Sequence, residues 1–227
     1  MRKILAGAMV SLDNVMQGPG GPEEDPTGGF KFGGWTAPYW DATLAEFVEG
    51  YFSSPFDLLL GRKTYDIFAA HWPYVQNAKA SKVGPLEIKI AQTFNRVTKY
   101  VATHSPATLT WQNSQSLGND IVASLRALKQ EDGPQLLVQG SSNLVQTLLA
   151  HDLIDEFRLL IYPLVFGKGK RLFGEGTIPA AFKLMKSGVS PSGVLTATYE
   201  RASDIKKGSF APEKPSEAEI ERRKSLT

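Results

Sequence analysis

Leu58-Leu59-Leu60-Gly61-Arg62-Lys63-Thr64-Tyr65-Asp66 joins an apolar strand to a helix through one glycine and puts two cations in the first helical turn. A helix N-terminus already carries free N–H groups and partial positive charge, so Arg62 and Lys63 are unfavourably placed unless an anion lies in front of them or both project into solvent. Leu136-Leu137-Val138-Gln139-Gly140-Ser141-Ser142-Asn143-Leu144 repeats the strand-to-helix design. Its small turn lets the backbone approach a pyrophosphate, or else Ser141 or Ser142 is only an N-cap. Tyr100-Val101-Ala102-Thr103-His104-Ser105 is a third short strand, closing on hydroxyls and an imidazole. Parallel strands deliver their C-terminal ends to one edge of a sheet, where nucleotides bind in open α/β folds, so the three segments define one candidate site.

The remaining chain supports that architecture. Residues 4–10, 56–60 and 136–138 are compact apolar runs, as in strands covered on both faces. Helices are predicted over residues 41–51, with Leu44, Phe47, Val48 and Tyr51 on one stripe, and over 116–130, with Ile121, Leu125 and Leu128. Such alternation implies parallel neighbours. Residues 156–162, 182–189 and 194–201 form strands joined by Gly- and Pro-containing turns, so the sheet should finish antiparallel. The Gly- and Pro-rich stretch 16–34 is long for a connection and is expected to act as a lid. Beyond residue 201 the chain turns polar, and Ser216 with Glu219 forms a capping-box pattern for a short terminal helix. One domain over 1–201 and a charged tail over 202–227 are therefore expected.

Composition removes whole function classes. A 227-residue chain with 42% hydrophobic and 21% charged residues can bury one substantial core. The net charge of +2 is spread along the chain, which gives no field directed at nucleic acid or membrane. With no cysteine, disulfides, thiolate catalysis and Cys-based zinc sites are excluded, and a reducing, cytoplasmic setting fits. His71 and His151 lack partners at metal-ligand spacing, so no metal is expected. Trp35, Tyr39 and Trp40 are either core or a platform for a flat ring, while Asp41, Glu46 and Glu49 suit the outer face of a helix.

Gly61-Arg62-Lys63-Thr64, Thr103-His104-Ser105 and Val138-Gln139-Gly140-Ser141-Ser142-Asn143-Leu144 resemble the cofactor segments of the dihydrofolate reductase superfamily. The nearer likeness is to the reductase domain of riboflavin-biosynthesis proteins and its stand-alone relatives. It is reinforced by Val10-Ser11-Leu12-Asp13, Leu153-Ile154-Asp155-Glu156-Phe157 and Tyr162-Pro163-Leu164-Val165-Phe166-Gly167-Lys168-Gly169, and it covers nearly everything up to Arg201. The resemblance implies a three-layer α/β/α dihydrofolate reductase-like fold with a mixed, mainly parallel sheet. It also implies NADPH laid across the strand ends. On that footing Gly61, Arg62, Lys63 and Thr64 hold phosphates, and Thr103, His104 and Ser105 hold the adenosine end. Gly140, Ser141, Ser142, Asn143 and Leu144 hold the pyrophosphate.

The implied activity is hydride transfer to a small heterocyclic or imine-like substrate, such as 5-amino-6-(5-phosphoribosylamino)uracil or a pterin, in a homodimer. Asp13 is the first candidate proton source and Glu46 the second, and Asp13 as a mere turn cap stays open. A nucleotide-binding regulatory module without turnover is the alternative reading. Two departures stand out. Ser141 replaces the second glycine of the family's Gly-Gly pair, which makes a cis peptide there less expected, and Asn14 replaces a glycine after Leu-Asp. The zinc deaminase half of the bifunctional riboflavin proteins cannot be built without cysteine.

Overall fold

Eight strands make one sheet in the order β4-β3-β2-β5-β1-β6-β8-β7. They are β1 (Ile4–Ser11), β2 (Phe56–Gly61), β3 (Lys99–Ala102), β4 (Ser114–Ser116), β5 (Gln135–Val138), β6 (Glu156–Tyr162), β7 (Phe182–Val189) and β8 (Leu195–Arg201). The computed structural model describes residues 1–75, 83–175, 177–210 and 214–226. Pairing is parallel from β4 through β6, and β8 and β7 then add antiparallel, as the sequence pattern predicts.

The central strands are apolar throughout because both faces are covered. Ile4, Ala6, Ala8 and Val10 of β1 pack with α4 (Ile121–Gln130) and α5 (Ser142–Ala150) through Leu125, Leu144 and Leu148. The opposite face, with Leu5, Leu58, Leu60 and Leu137, meets α2 (Arg62–Val75) and α3 (Pro85–Arg96) through Tyr65 and Phe94. Helix α1 (Ala42–Tyr51) lays Leu44 and Val48 over Leu160 and Tyr162. The result is the three-layer dihydrofolate reductase-like architecture.

Two helix expectations change. The helix expected from Ser116 starts at Ile121, because Ser114–Ser116 pairs with β3 as the edge strand β4. Gly118 turns with φ +74°, and the Asp120 carboxylate caps the helix by accepting from the Ala123 N–H at 2.9 Å. Helix α3 has no counterpart among the sequence-based elements. In the tail, α6 (Glu217–Lys224) is capped by Ser216, whose hydroxyl accepts from the Glu219 N–H, and no described residue after Arg201 is buried. Positions 211–213 and 227 of the expected tail lie outside the described residues.

One buried cation carries a measurable consequence. Lys99 is fully buried on β3, donates to the carbonyls of Asn95 (2.9 Å) and Gln112 (3.0 Å), and lies 4.3 Å from the centre of the Trp111 ring. Burial pushes its ammonium down from 10.5 to about 8. The folded state therefore releases this proton before the unfolded chain does, so the stability tied to Lys99 rises as pH increases from about 8 to 10.5. Urea unfolding of the wild type and Lys99→Met across that window should show the difference moving in favour of the wild type, and a pH-independent difference refutes the assignment.

Candidate active site

Strand β2 runs into α2 at Gly61 without an intervening loop, and the Gly61 N–H donates to the Gly140 carbonyl at 3.0 Å. A Cβ on Gly61 would lie 2.1 Å from Ser141 Oγ, and one on Gly140, where φ is +112°, would lie 2.8 Å from Thr64 Oγ1. Only glycine permits this contact, and it sets the first turns of α2 and α5 side by side. The Gly140–Ser141 peptide is cis, so the serine at the second position does not prevent it as the sequence comparison suggested. Ser141 caps α5 through the Leu144 N–H. The N-termini of both helices therefore abut and line the same cavity, and a helix N-terminus is a place where an anion is held.

Arg62 and Lys63 separate in role. Arg62 Nε pairs with Asp66 at 2.9 Å, and Nη1 donates to Thr103 Oγ1 (3.3 Å), Ser105 O (3.3 Å) and Thr108 Oγ1 (2.5 Å). Part of its charge is thus answered within the protein, and the residue fastens the end of β3 to α2. Lys63 is exposed and has no hydrogen-bond or ion-pair partner among the described residues, so the unanswered cation at this helix start is Lys63. His104 is exposed on the same edge, while Thr103 is buried behind it with its hydroxyl accepting from the Ser105 N–H at 3.1 Å.

Gly61 to Thr64, His104 and Gly140 to Leu144 all line one cavity of about 1470 Å³, whereas Thr103 and Ser105 reach it only through Arg62. The other half of the cavity is aromatic, with Trp40, Tyr51, Phe52, Phe68 and Trp72 over a floor at Gly7. Trp40 is thus a platform candidate, whereas Trp35 is core: it is buried and its indole N–H donates to the Gln17 carbonyl at 2.8 Å. Burial pushes the Tyr51 phenol well above its ordinary range, which keeps it protonated.

Neither expected carboxylate reaches this space. Asp13 accepts from Ser11 Oγ (2.6 Å) and from the N–H groups of Phe166 (3.1 Å) and Gly167 (2.8 Å). Burial raises its carboxyl, but these bonds outweigh it and hold the group low, as suits a cap and not an acid. Glu46 is exposed on the outer side of α1 and is absent from the lining. Asp13 and Glu46 are therefore both placed outside the lining of the cavity. Residues 16–34 form one wall of the cavity and are tied down by several bonds. The Gln17 amide donates to Asp25 O (3.0 Å) and Thr27 O (2.8 Å), Lys170 pairs with Asp25, and the Gly34 N–H donates to Gly18 O at 2.8 Å. Sequence reasoning missed Glu24 of this wall, Gln139, and the α3 residues Glu87 and Ile90, all of which face the cavity. The loop acids had no pattern to mark them, and the alternation at the start of α3 masks its Leu86, Ile90 and Phe94 stripe. No cluster of metal-ligating residues occurs among the described residues.

Residues 2–196 match the RibD C-terminal domain, and the chain belongs to that family. Family and fold together define a reductase of the riboflavin-reductase and dihydrofolate-reductase type. The uncharacterized protein YyaP of Bacillus subtilis (strain 168) is 24% identical over 198 residues, covering 87% of this chain and 94% of that protein. YwjB of the same organism is 30% identical over 127 residues, 56% of this chain and 63% of the relative. Among solved structures, a putative riboflavin biosynthesis protein from Shewanella sp. PV-4 superposes with a TM-score of 0.53 at 22% identity, over 88% of this chain and 99% of the other. Dihydrofolate reductase from Enterococcus faecalis, complexed with NADP(H) and RAB-propyl, gives a TM-score of 0.53 at 14% identity, over 88% and 97%.

The role of Asp13 is testable. Asp13→Ala removes the acceptor of two backbone N–H groups and should lower unfolding stability by about 1–3 kcal/mol. Binding of NADPH should change by no more than about twofold, since a shift of 1.4 kcal/mol is already tenfold. A stable variant with impaired turnover would reverse this assignment.

Proposed function

We propose that the chain is an NADPH-dependent reductase that passes a hydride to a C=N or C=O bond of a small, flat heterocycle, a pterin or a pyrimidine of the riboflavin type. The observation that carries this reading is the pair of abutted helix N-termini, α2 and α5, with Lys63 unpaired beside them and an aromatic compartment continuous with them. The glycine-built junction fits a dinucleotide pyrophosphate, because two abutted helix N-termini supply donors and partial positive charge where an anion would lie. Arg62 and His104, which line the same cavity, would hold a nucleotide's second end, while the Thr64 hydroxyl lies at the junction itself. When bound, the dinucleotide supplies the hydride, and the protein supplies placement, exclusion of water and a proton. The aromatic walls restrict the partner to a planar ring. No helix among the described residues is long and apolar enough to cross a membrane.

NADPH should bind at least about tenfold more tightly than NADH, because the additional phosphate meets Arg62 and Lys63 through charge-assisted hydrogen bonds. Isothermal titration with both cofactors checks this, and Lys63→Ala should remove most of the preference. Equal affinities would refute it.

The same reading includes a homodimer. Strand β7 is the sheet edge, and Leu184, Met185 and Val189 on it, with Leu195 of β8, are exposed, an apolar edge of the kind that proteins cover. Sedimentation should give a dimer at micromolar concentration that Val189→Asp dissociates; a monomeric wild type would end the idea.

A further inference from the structure

Reduction of a C=N bond needs a proton as well as a hydride, and four carboxylates line the cavity: Glu23, Glu24, Asp25 and Glu87. Asp25 is paired with Lys170, and its carboxyl stays low, because the Lys170 and Thr27 bonds outweigh the effect of its burial. Glu87 faces His71 at 3.4 Å, and Glu23 is exposed. Glu24 is different. It is half-buried, and its Oε2 accepts from the N–H groups of both Gly20 and Gly21, the latter at 3.1 Å. Its Oε1 has no partner among the described residues. Two donors on one oxygen suit the carbonyl oxygen of a carboxylic acid and leave the other oxygen to carry a proton.

The surroundings favour that form. Burial raises the Glu24 carboxyl above its ordinary value and the neighbouring Asp25 adds to this, while the two N–H bonds and His71 oppose it without reversing the net shift. Glu24 is also held in position. The Gln17 amide fixes the Asp25 carbonyl next to it, and the Lys170–Asp25 pair ties the same turn to the segment after β6. The group therefore sits in a rigid part of the wall, within the electrostatic reach of His71 on α2.

We propose that Glu24 is the proton donor of the reduction, an assignment that rests on the reductase reading above. The ring carbon of the C=N bond accepts a hydride from the reduced nicotinamide, which leaves oxidised, and the π electron pair moves to nitrogen. That nitrogen takes the proton from Glu24 Oε1. The carboxylate left behind is stabilised by the Gly20 and Gly21 N–H groups and is reprotonated from solvent at the cavity mouth, where His71 stands.

Glu24→Gln keeps an oxygen for the two N–H groups and removes the titrating proton, so a purely structural Glu24 predicts unchanged turnover and an unchanged pH profile. Infrared difference spectra of the cofactor-free protein should show a protonated carboxyl C=O band that titrates above the ordinary carboxylate range and is missing in Glu24→Gln. NADPH affinity and melting temperature should hold. With 7,8-dihydropterin, 7,8-dihydrofolate and a cyclic imine as substrates, turnover should fall about tenfold or more, the usual scale of general-acid catalysis, and the decline of the wild-type rate at higher pH should disappear. A missing infrared band, or a variant that reduces its substrate as the wild type does, overturns the assignment to Glu24. A wild type that binds no NADPH, or reduces neither these three compounds nor 5-amino-6-(5-phosphoribosylamino)uracil, overturns the reductase reading instead.

Discussion

The contact of Gly61 with the Gly140–Ser141 turn is the constraint on which the site depends. β2 and β5 are hydrogen-bonded neighbours, so helices leaving their C-terminal ends on opposite faces of the sheet must start within a few ångströms of each other. With a Cβ at Gly61, Ser141 Oγ would be 2.1 Å away and the two helices would have to part. Their N-termini would then no longer abut, and the dipoles would no longer add. The strand order puts β1 directly beside β5, so the floor of the aromatic compartment at Gly7 lies next to this junction. A binding place for phosphate and one for a flat ring thus follow from the same three adjacent strands.

The chain after β1 needs a second anchor, and Asp13 supplies it. Its carboxylate gathers the N–H groups of Phe166 and Gly167, while Lys170, four residues from Phe166, pairs with Asp25. The connection after β6 is thereby fastened to the chain just before the Gly- and Pro-rich stretch and to the middle of that stretch. The Phe30, Phe32 and Phe166 rings pack together at 5.3–5.8 Å and fill the space beneath. A segment this rich in glycine would otherwise lose much entropy on ordering, which accounts for the number of side chains spent on holding it. Asp13 thus acts at a distance: it shapes the wall in which Glu24 sits.

The sheet was legible in the sequence because its central strands are covered on both faces and so appear as uninterrupted apolar runs. The cavity edge formed by Gly61 to Thr64 and Gly140 to Leu144 was legible because glycines and cations cluster where strands meet helices. Helix α3 was not, since Pro85-Leu86-Glu87-Ile88-Lys89-Ile90 alternates apolar and charged residues and mimics a strand at its start. Nor were the catalytic candidates. Asp13 ends a strand at the right edge, and only the coordinates show that its oxygens are already occupied. Glu24 lies between two other acids in a turn, where spacing says nothing; what distinguishes it is the accident of burial and two N–H groups aimed at one oxygen, both products of tertiary structure.

The cavity lining carries two sets of charge: Arg62, Lys63, His104 and two positive helix termini form a cationic set, and Glu23, Glu24 and Glu87 an acidic one. On the proposed reading, an extended anion would satisfy the first set and, by filling the cavity, remove water from the second. Desolvation disfavours the charged form of a carboxylate, so occupancy of the cationic set would move Glu24 further toward the protonated acid. A nearby bound anion acts in the same direction. On the proposed reading the two sets are therefore coupled through solvent exclusion and field: an anion bound at the cationic set would favour the protonated form of Glu24.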